Sequence, residues 1–195
     1  MTLITPQTNP NDTLVYSKND CVKCKQTKKI MDMKHVPYVE INIQESEYFD
    51  EYIHGDFSKN RRSAMALLQE ESGLQEIVRL VGQDSLSPQD QLKLFTAKSL
   101  REDFLQQNAF DDVDTYCSQE KQYRMLEGIL AFHNLAKDAL EKGVYLREIQ
   151  NMEIRADVVR MRLIPEDQLS KFDEIMENMK KEFAKMISER EEQHA

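Results

Sequence analysis

Apolar and polar positions follow two different periods along this chain, and the change of period divides it. Leu14, Val15 and Tyr16 form a short apolar run, and Tyr38 to Ile43 alternates apolar with polar as a half-buried strand does. Cys21 to Met33 between them reads as a helix, so the order is β-α-β, with Pro37 placed where it starts a strand rather than breaks one. From Glu45 to Asn60 the pattern is poor: Tyr48, Phe49, Tyr52 and Ile53 could line one helical face, but Gly55 and the polar residues after it interrupt that face. From Arg61 onward the period becomes helical. Leu67, Leu68, Leu74, Ile77, Val78 and Val81 share a face, and Gly82 is a natural stop. Ser87, Pro88 and Asp90 then supply an N-cap, a preset first helical residue and a first-turn acid.

The next inner face is Leu92, Phe95, Leu100 and Phe104, ended by the loop-favouring QQNAFDD segment. Gln119 to Lys142 buries Leu126, Ile129, Leu130, His133, Ala136 and Leu140 by the same spacing, and Gly143 stops it. Shorter helices are expected at Tyr145 to Gln150 and Glu153 to Arg162, before Ile164 and Pro165 break the chain. Leu169, Phe172, Met176, Met179, Phe183 and Met186 step alternately by three and four, the a/d seam of a helix packed along its length. The expected class is mainly α, a helical bundle of five or six helices behind a short β-α-β fragment. The expected domains are a loose tail at 1–12, the β-α-β segment at 13–45, a seam at 46–60 and the bundle at 61–195.

Composition agrees with this and narrows the function. With 40% apolar and 31% charged residues and only five Gly and five Pro in 195, the chain is globular and mostly helical. Its formal charge of −9 is uneven: six Lys stand against four acids in residues 1–44, leaving −11 for the rest. An acidic body of that kind repels nucleic-acid phosphates, so no nucleic acid is expected as a partner. There is no apolar run of 18 residues and no signal-peptide order at the start, so neither membrane insertion nor secretion is indicated and cytoplasm is the default. Three Cys, a close pair and a remote single, fit a reducing compartment better than a disulfide framework.

The close pair carries the first candidate chemistry. Cys21-Val-Lys-Cys24 follows a strand and opens a helix, where the positive end of the helix dipole and Lys23, Lys25 and Lys28 favour a thiolate on Cys21, with Cys24 as the resolving thiol. A zinc site is the competing reading, but no second CxxC or CxxH pair completes four ligands. VYSKNDCVKC and VEINI resemble the glutaredoxin-like electron donors of ribonucleotide reductase over about residues 12 to 45, which implies a thioredoxin-like fragment and thiol–disulfide exchange through Cys21 and Cys24. That family also needs a cis-Pro loop and two further strands, whereas no Pro occurs between Pro37 and Pro88. A truncated, inactive first half therefore stands beside the redox reading.

The second candidate is Leu100 to Met125, LREDFLQQNAFDDVDTYCSQEKQYRM, too particular to be generic helix filler. Together with AMALLQEESGLQEIVRLVG, ALEKGVYLREI and RMRLIPED it resembles, in order and from about Asp56 to the end, the carboxy-terminal helical domain of the catalytic A subunit of V/A-type rotary ATPases. The resemblance implies a proton- or sodium-translocating motor that makes or hydrolyses ATP, with the B subunit and central rotor subunits as partners, peripheral to the membrane when assembled. It implies ATP or ADP with Mg in the complete enzyme. The glycine-rich loop ending in Gly-Lys-Thr that holds the phosphates is absent here, so this chain is expected to bind no cofactor alone and to be inactive alone.

By the same resemblance Phe110 lies beside the adenine ring, with Gln107 and Asn108 nearby; the other reading of Phe110 is a loop anchor under the helix pair. Asp111, Asp112 and Asp114 lack the Gly and the bidentate Glu of a calcium loop, so no metal is assigned, and Asp112 or Asp114 is expected as an N-cap or salt-bridge partner. His133 reads as a satisfied core histidine and Cys117 as a small buried residue.

Overall fold

A computed structural model describes residues 13–17, 21–42, 50, 53–108, 110–115 and 117–194, and the chain divides into two compact units, 1–52 and 53–195. The expected tail at 1–12 and the aromatic residues Tyr48, Phe49 and Tyr52 lie outside the described residues.

In the first unit β1 (Leu14–Ser17) and β2 (Val39–Asn42) are parallel, with Leu14 opposite Val39 and Ser17 opposite Asn42. Parallel neighbours need a crossover, and α1 (Val22–Met33) supplies it. Helix α1 ends in a Schellman motif: His35 N–H donates to the Asp32 carbonyl and Val36 N–H to the Met31 carbonyl. His35 takes the left-handed φ of 52° that this motif demands and that Gly usually supplies. No residue of α1 is buried, whereas Val15 of β1 is.

Six α-helices are described in the second unit. They are α2 (Phe57–Val81), α3 (Pro88–Ser99), α4 (Gln119–Glu141), α5 (Leu146–Gln150), α6 (Ile154–Arg160) and α7 (Ser170–His194). Helix α4 is the axis of the bundle and packs against α2, α3 and α7. It buries Tyr123, Met125, Leu126, Ile129, Leu130, Phe132, Ala136 and Ala139. At Gly128 the missing side chain lets Met161 press against the helix, since an added Cβ would lie 2.7 Å from its Cε. The Gly143 stop is a second Schellman motif, with Gly143 at φ 87° and buried Val144 donating its N–H to the Ala139 carbonyl. Ser87 caps α3 as expected, its Oγ accepting the Asp90 N–H at 3.1 Å. The α7 seam is also as expected: Phe172, Met179 and Phe183 are buried, and Leu169, Met176 and Met186 pack against them.

Three features depart from the periodicity. Helix α2 starts at Phe57, a turn before Arg61, because its first residues are already covered: His54 and Phe57 stack on Tyr123 at 4.3 and 6.2 Å between ring centroids. Its buried stripe is Ala64, Leu67 and Glu71, so Ile77 and Val81 are 44% and 59% exposed rather than inside. Helix α3 is followed without a break to its expected end before Gln106, but that last stretch, Leu100–Leu105, is a π-helical turn in which Gln106 N–H reaches back to the Arg101 carbonyl.

Glu71 is a carboxylate where the apolar period would place a Leu. It is 6% exposed, and Arg101 grips it with a fork, Nε to Oε2 at 3.1 Å and Nη2 to Oε1 at 2.8 Å, while Gln75 donates a third bond. This pair joins α2 to the π turn. Arg101→Met strands a buried carboxylate and is expected to cost about 1 to 2 kcal/mol in denaturant unfolding, discounted because Arg101 is 44% exposed. Glu71→Met removes the buried charge itself and is expected to cost less than Arg101→Met in the same assay.

Candidate functional site

The loop from the π turn to α4, residues 106–118, is held by its own polar groups. Asn108 Oδ1 accepts the Phe110 N–H at 3.1 Å, an Asx turn that tips the chain outward at the aromatic. Asp111 Oδ1 accepts the N–H groups of Val113 and Asp114 at 2.9 and 3.0 Å, and those two bonds, Asp114 first, hold its carboxyl below the usual range. Asp114, 3% exposed, closes the loop by accepting the Asn108 N–H through Oδ2 at 2.7 Å. Two straps come from the segment after α6. Arg162 Nη1 donates to the carbonyls of Glu102 and Gln106 at 3.3 and 3.4 Å, and Glu166 accepts the Ser118 N–H and hydroxyl at 2.8 and 2.7 Å.

Phe110 is 98% exposed at the apex of this loop, so the reading of it as an anchor beneath the helices is corrected: the anchors are Asp111 and Asp114, and the aromatic points to solvent. Gln107 and Asn108 are exposed beside it on the same loop. The expected N-cap role of Asp112 or Asp114 is also corrected. Ser118 caps α4, accepting the Lys121 N–H at 3.1 Å, because by Asp114 the chain is still turning. Lys121 itself, 1% exposed with its Nζ unpartnered, gave no signal in the sequence.

In the first unit Cys21 is the N-cap of α1, and its Sγ accepts the Cys24 N–H at 3.2 Å. The two sulfurs are 2.6 Å apart and both residues are half-buried. The two thiols are thus in contact, with a backbone N–H aimed at the Cys21 sulfur. Cys117 belongs to the other unit; burial pushes its thiol up to about 11, which keeps it protonated and unreactive at neutral pH. Among the described residues no cluster of His, Cys, Asp or Glu could hold a metal ion, and no helix is long and apolar enough to cross a membrane.

His133 is a core histidine, as expected. Its Nδ1 lies 2.8 Å from Thr96 Oγ1, whose other neighbour is the Leu92 carbonyl at 3.0 Å. A cavity of about 210 Å³ opens nearby over Ile129 and Phe132, but its polar rim is already paired, Ser99 with Asp103 and Lys98 with Glu102.

The family model for the C-terminal domain of V and A type ATP synthase matches residues 46–150, and the glutaredoxin model matches residues 13–60. The chain is 52% identical over 143 residues to the V-type ATP synthase alpha chain of Clostridium perfringens (strain SM101 / Type A), covering 73% of this chain and 24% of that protein. It is 51% identical over 141 residues to V-type ATP synthase alpha chain 1 of Clostridium tetani (strain Massachusetts / E88), covering 72% and 24%. The corresponding protein of Clostridium novyi (strain NT) is 50% identical over 143 residues, covering 73% and 24%. The chain thus spans about a quarter of the length of the curated relatives it matches. The six-helix unit falls in the class of carboxy-terminal helical domains of ATP synthase chains. The chain belongs to the family of the C-terminal domain of V and A type ATP synthase, and a glutaredoxin-like stretch precedes that domain.

Two outcomes follow from this geometry. Phe110→Ala is expected to leave the denaturation midpoint unchanged to within about 0.5 kcal/mol, whereas Asp114→Ala, which strips the Asn108 N–H of its acceptor, is expected to cost about 1 to 2 kcal/mol. For His133, burial first and then Lys137 and Lys93 hold the imidazole below its ordinary value of 6.5. The unfolded chain takes up a proton there that the folded chain refuses, so stability falls as pH drops through 6.5 and levels off below the folded value. Denaturant midpoints measured from about pH 8 to about pH 5 should show that slope, and His133→Gln should flatten it.

Proposed function

We propose that this chain works as part of the A subunit of a V/A-type ATPase, in which the Phe110 loop forms one side of an adenine pocket whose phosphate-binding walls belong to other parts of the enzyme. The observation that carries the reading is the 98% exposure of Phe110 between Asn108, Asp111 and Asp114, whose side chains accept backbone N–H groups of the same loop. A flat apolar face held open in a polar loop suits stacking on a base, and Gln107 and Asn108 stand beside it to meet the polar edge of the ring.

The 195 residues hold no glycine-rich loop ending in Gly-Lys-Thr, so the phosphates and Mg are held elsewhere and the chain is inactive alone. Its partners on this reading are the B subunit and the central rotor subunits, and the assembled position is peripheral to the membrane. The transported ion, H⁺ or Na⁺, is chosen outside this domain. This supports neither nucleic-acid binding nor membrane insertion.

A second reading rests on the contact between Cys21 and Cys24: a glutaredoxin-like thiol–disulfide oxidoreductase, with Cys21 as nucleophile and Cys24 as resolving thiol. Thiol titration in an oxidised glutathione buffer separates the two. A reversible loss of two thiols in the wild type that Cys24→Ser abolishes supports redox function, and its absence removes it.

For the first reading, the purified chain should show no ATP turnover and should bind purified B subunit of a V/A-type ATPase. In the assembled enzyme Phe110→Ala should weaken adenine-nucleotide binding by about tenfold, within the roughly 1 to 3 kcal/mol that base–aromatic stacking contributes. Turnover by the chain alone, or unchanged affinity in the Phe110→Ala enzyme, overturns it.

A further inference from the structure

One side of α1 is apolar along its middle and cationic along both borders. At about 3.6 residues per turn Val22, Gln26, Ile30 and Met33 fall within an arc of about 80°, and the apolar members Val22, Ile30 and Met33 are 66%, 49% and 63% exposed. Lys29 borders that arc on one side, Lys23 and Lys34 border it on the other, and all of these lysines are exposed. Asp32, the one acid of the helix, lies outside it. The face starts at the thiols. Val22 and Lys23 are the residues between Cys21 and Cys24, whose sulfurs lie 2.6 Å apart. From Val22 to Lys34 it runs about 18 Å at ~1.5 Å per residue. Exposed apolar residues scattered singly need no explanation, but a stripe of them bordered by charges of one sign is the pattern of a surface that meets a partner.

We propose that this face of α1 docks an acidic polypeptide whose disulfide is the substrate of Cys21 and Cys24, with Lys23, Lys29 and Lys34 meeting its carboxylates and Val22, Ile30 and Met33 its apolar side chains. The proposal rests on the thiol–disulfide reading above and names the substrate class for it. Charge complementarity sets the sign of the partner, and length sets its kind: an extended tripeptide of about 10 Å covers little more than half of the face. The thiols at one end favour a disulfide-bearing chain over a lipid surface, which offers them nothing. In the reaction the Cys21 thiolate, its proton released to solvent, attacks one sulfur of the partner's disulfide; that S–S bond breaks, and the other sulfur leaves as a thiolate and takes up a proton. Cys24 then gives up its proton and attacks the Cys21 sulfur, which releases the partner's first sulfur as a second thiol. The partner gains two electrons and two protons, and Cys21 and Cys24, counted as thiols, lose the same as they form a disulfide.

The test is single-turnover oxidation of the reduced full chain by synthetic peptides, each closed by one disulfide and differing only in whether its flanks carry Glu, Gln or Lys. At low salt the Glu peptide should react about tenfold faster than the Gln peptide and the Lys peptide slower still; in about 1 M salt, where charges act only within about 3 Å, the ratio should fall below about threefold. Oxidised glutathione, anionic but too short to span the face, should react no faster than the Gln peptide. Lys29→Glu combined with Lys34→Glu, both more than a turn beyond Cys24, should bring the Glu-to-Gln ratio to about one, and a ratio taken within one variant cancels any change in thiol reactivity. Reaction with none of the disulfides overturns the thiol–disulfide reading and the proposal with it. Equal rates with all the peptides, a preference that salt or the double variant leaves intact, or faster reaction of glutathione overturns the proposal alone. So does co-sedimentation with vesicles of anionic phospholipid without preference among the peptides, which assigns the face to a lipid surface.

Discussion

Helix α4 carries its apolar residues around more than half of its circumference, so it has no stable form until three other helices cover it. Tyr123, Leu126 and Leu130 lie on one side of that arc, and Met125, Phe132, Ala136 and Ala139 on the other. Burying a side chain of this size contributes about 1.5 to 3 kcal/mol, so leaving any one sector open would offset a large share of the marginal stability of a domain. Helices α2, α3 and α7 fill those sectors, and each offers only a stripe. The ring contacts show how tightly the sectors meet: Phe132 packs edge-on to Phe183 of α7 at 5.3 Å and is tilted against Phe95 of α3 at 6.2 Å. With α3 and α4 fixed in this way, the ends of the loop between them are fixed as well.

That constraint explains the π turn and the straps. The last turn of α3 must keep Leu100 in the core and present Arg101 to Glu71 on α2, and the i to i+5 bond at Gln106 shifts the phase that a continuing α-helix would have kept. Arg162 caps the carbonyls that this shift leaves at Glu102 and Gln106, and Glu166 meets the N–H at the start of α4. Arg162 and Glu166 are four residues apart in the segment that closes the bundle, so one short stretch holds both ends of the Phe110 loop.

The sequence was most legible where a residue type has a single local use. Ser87 before Pro88, Gly82 and Gly143 at helix ends, and the spacing from Leu169 to Met186 each have one conformational reading, and each takes it. Apolar periodicity fails where a charge occupies a core position. Glu71 and Lys121 are both nearly enclosed, and a pattern of Leu and Val cannot reveal a carboxylate satisfied from a residue thirty positions away. It is silent on the turn that ends helix α3: nothing in LREDFL distinguishes an i to i+5 turn from an i to i+4 one, because the choice is imposed by where Leu100 and Arg101 must point. In the loop the residue types have the turn-forming use expected of them, but the expected cap at Asp112 or Asp114 falls to Ser118, because which Asp faces inward depends on Asn108 and not on spacing.

The exposure of Phe110 has an energetic meaning that follows from how the loop is built. An aromatic ring in water gains nothing by folding, so its place at the apex is not explained by the stability of this chain. Among the described residues Asp111, Asp114 and Asn108 satisfy backbone N–H groups of the loop locally, and the two straps fix its ends, which opposes inward collapse. The conformational entropy of the loop is thus lost when the bundle folds rather than when a ligand arrives. Whatever flat apolar surface meets Phe110 gains nearly the full benefit of burying the ring, with little further ordering to offset it. A wall of this kind serves a second surface that brings its own polar groups, so the proposal that Phe110 faces an adenine ring fits a chain whose 195 residues hold no phosphate loop.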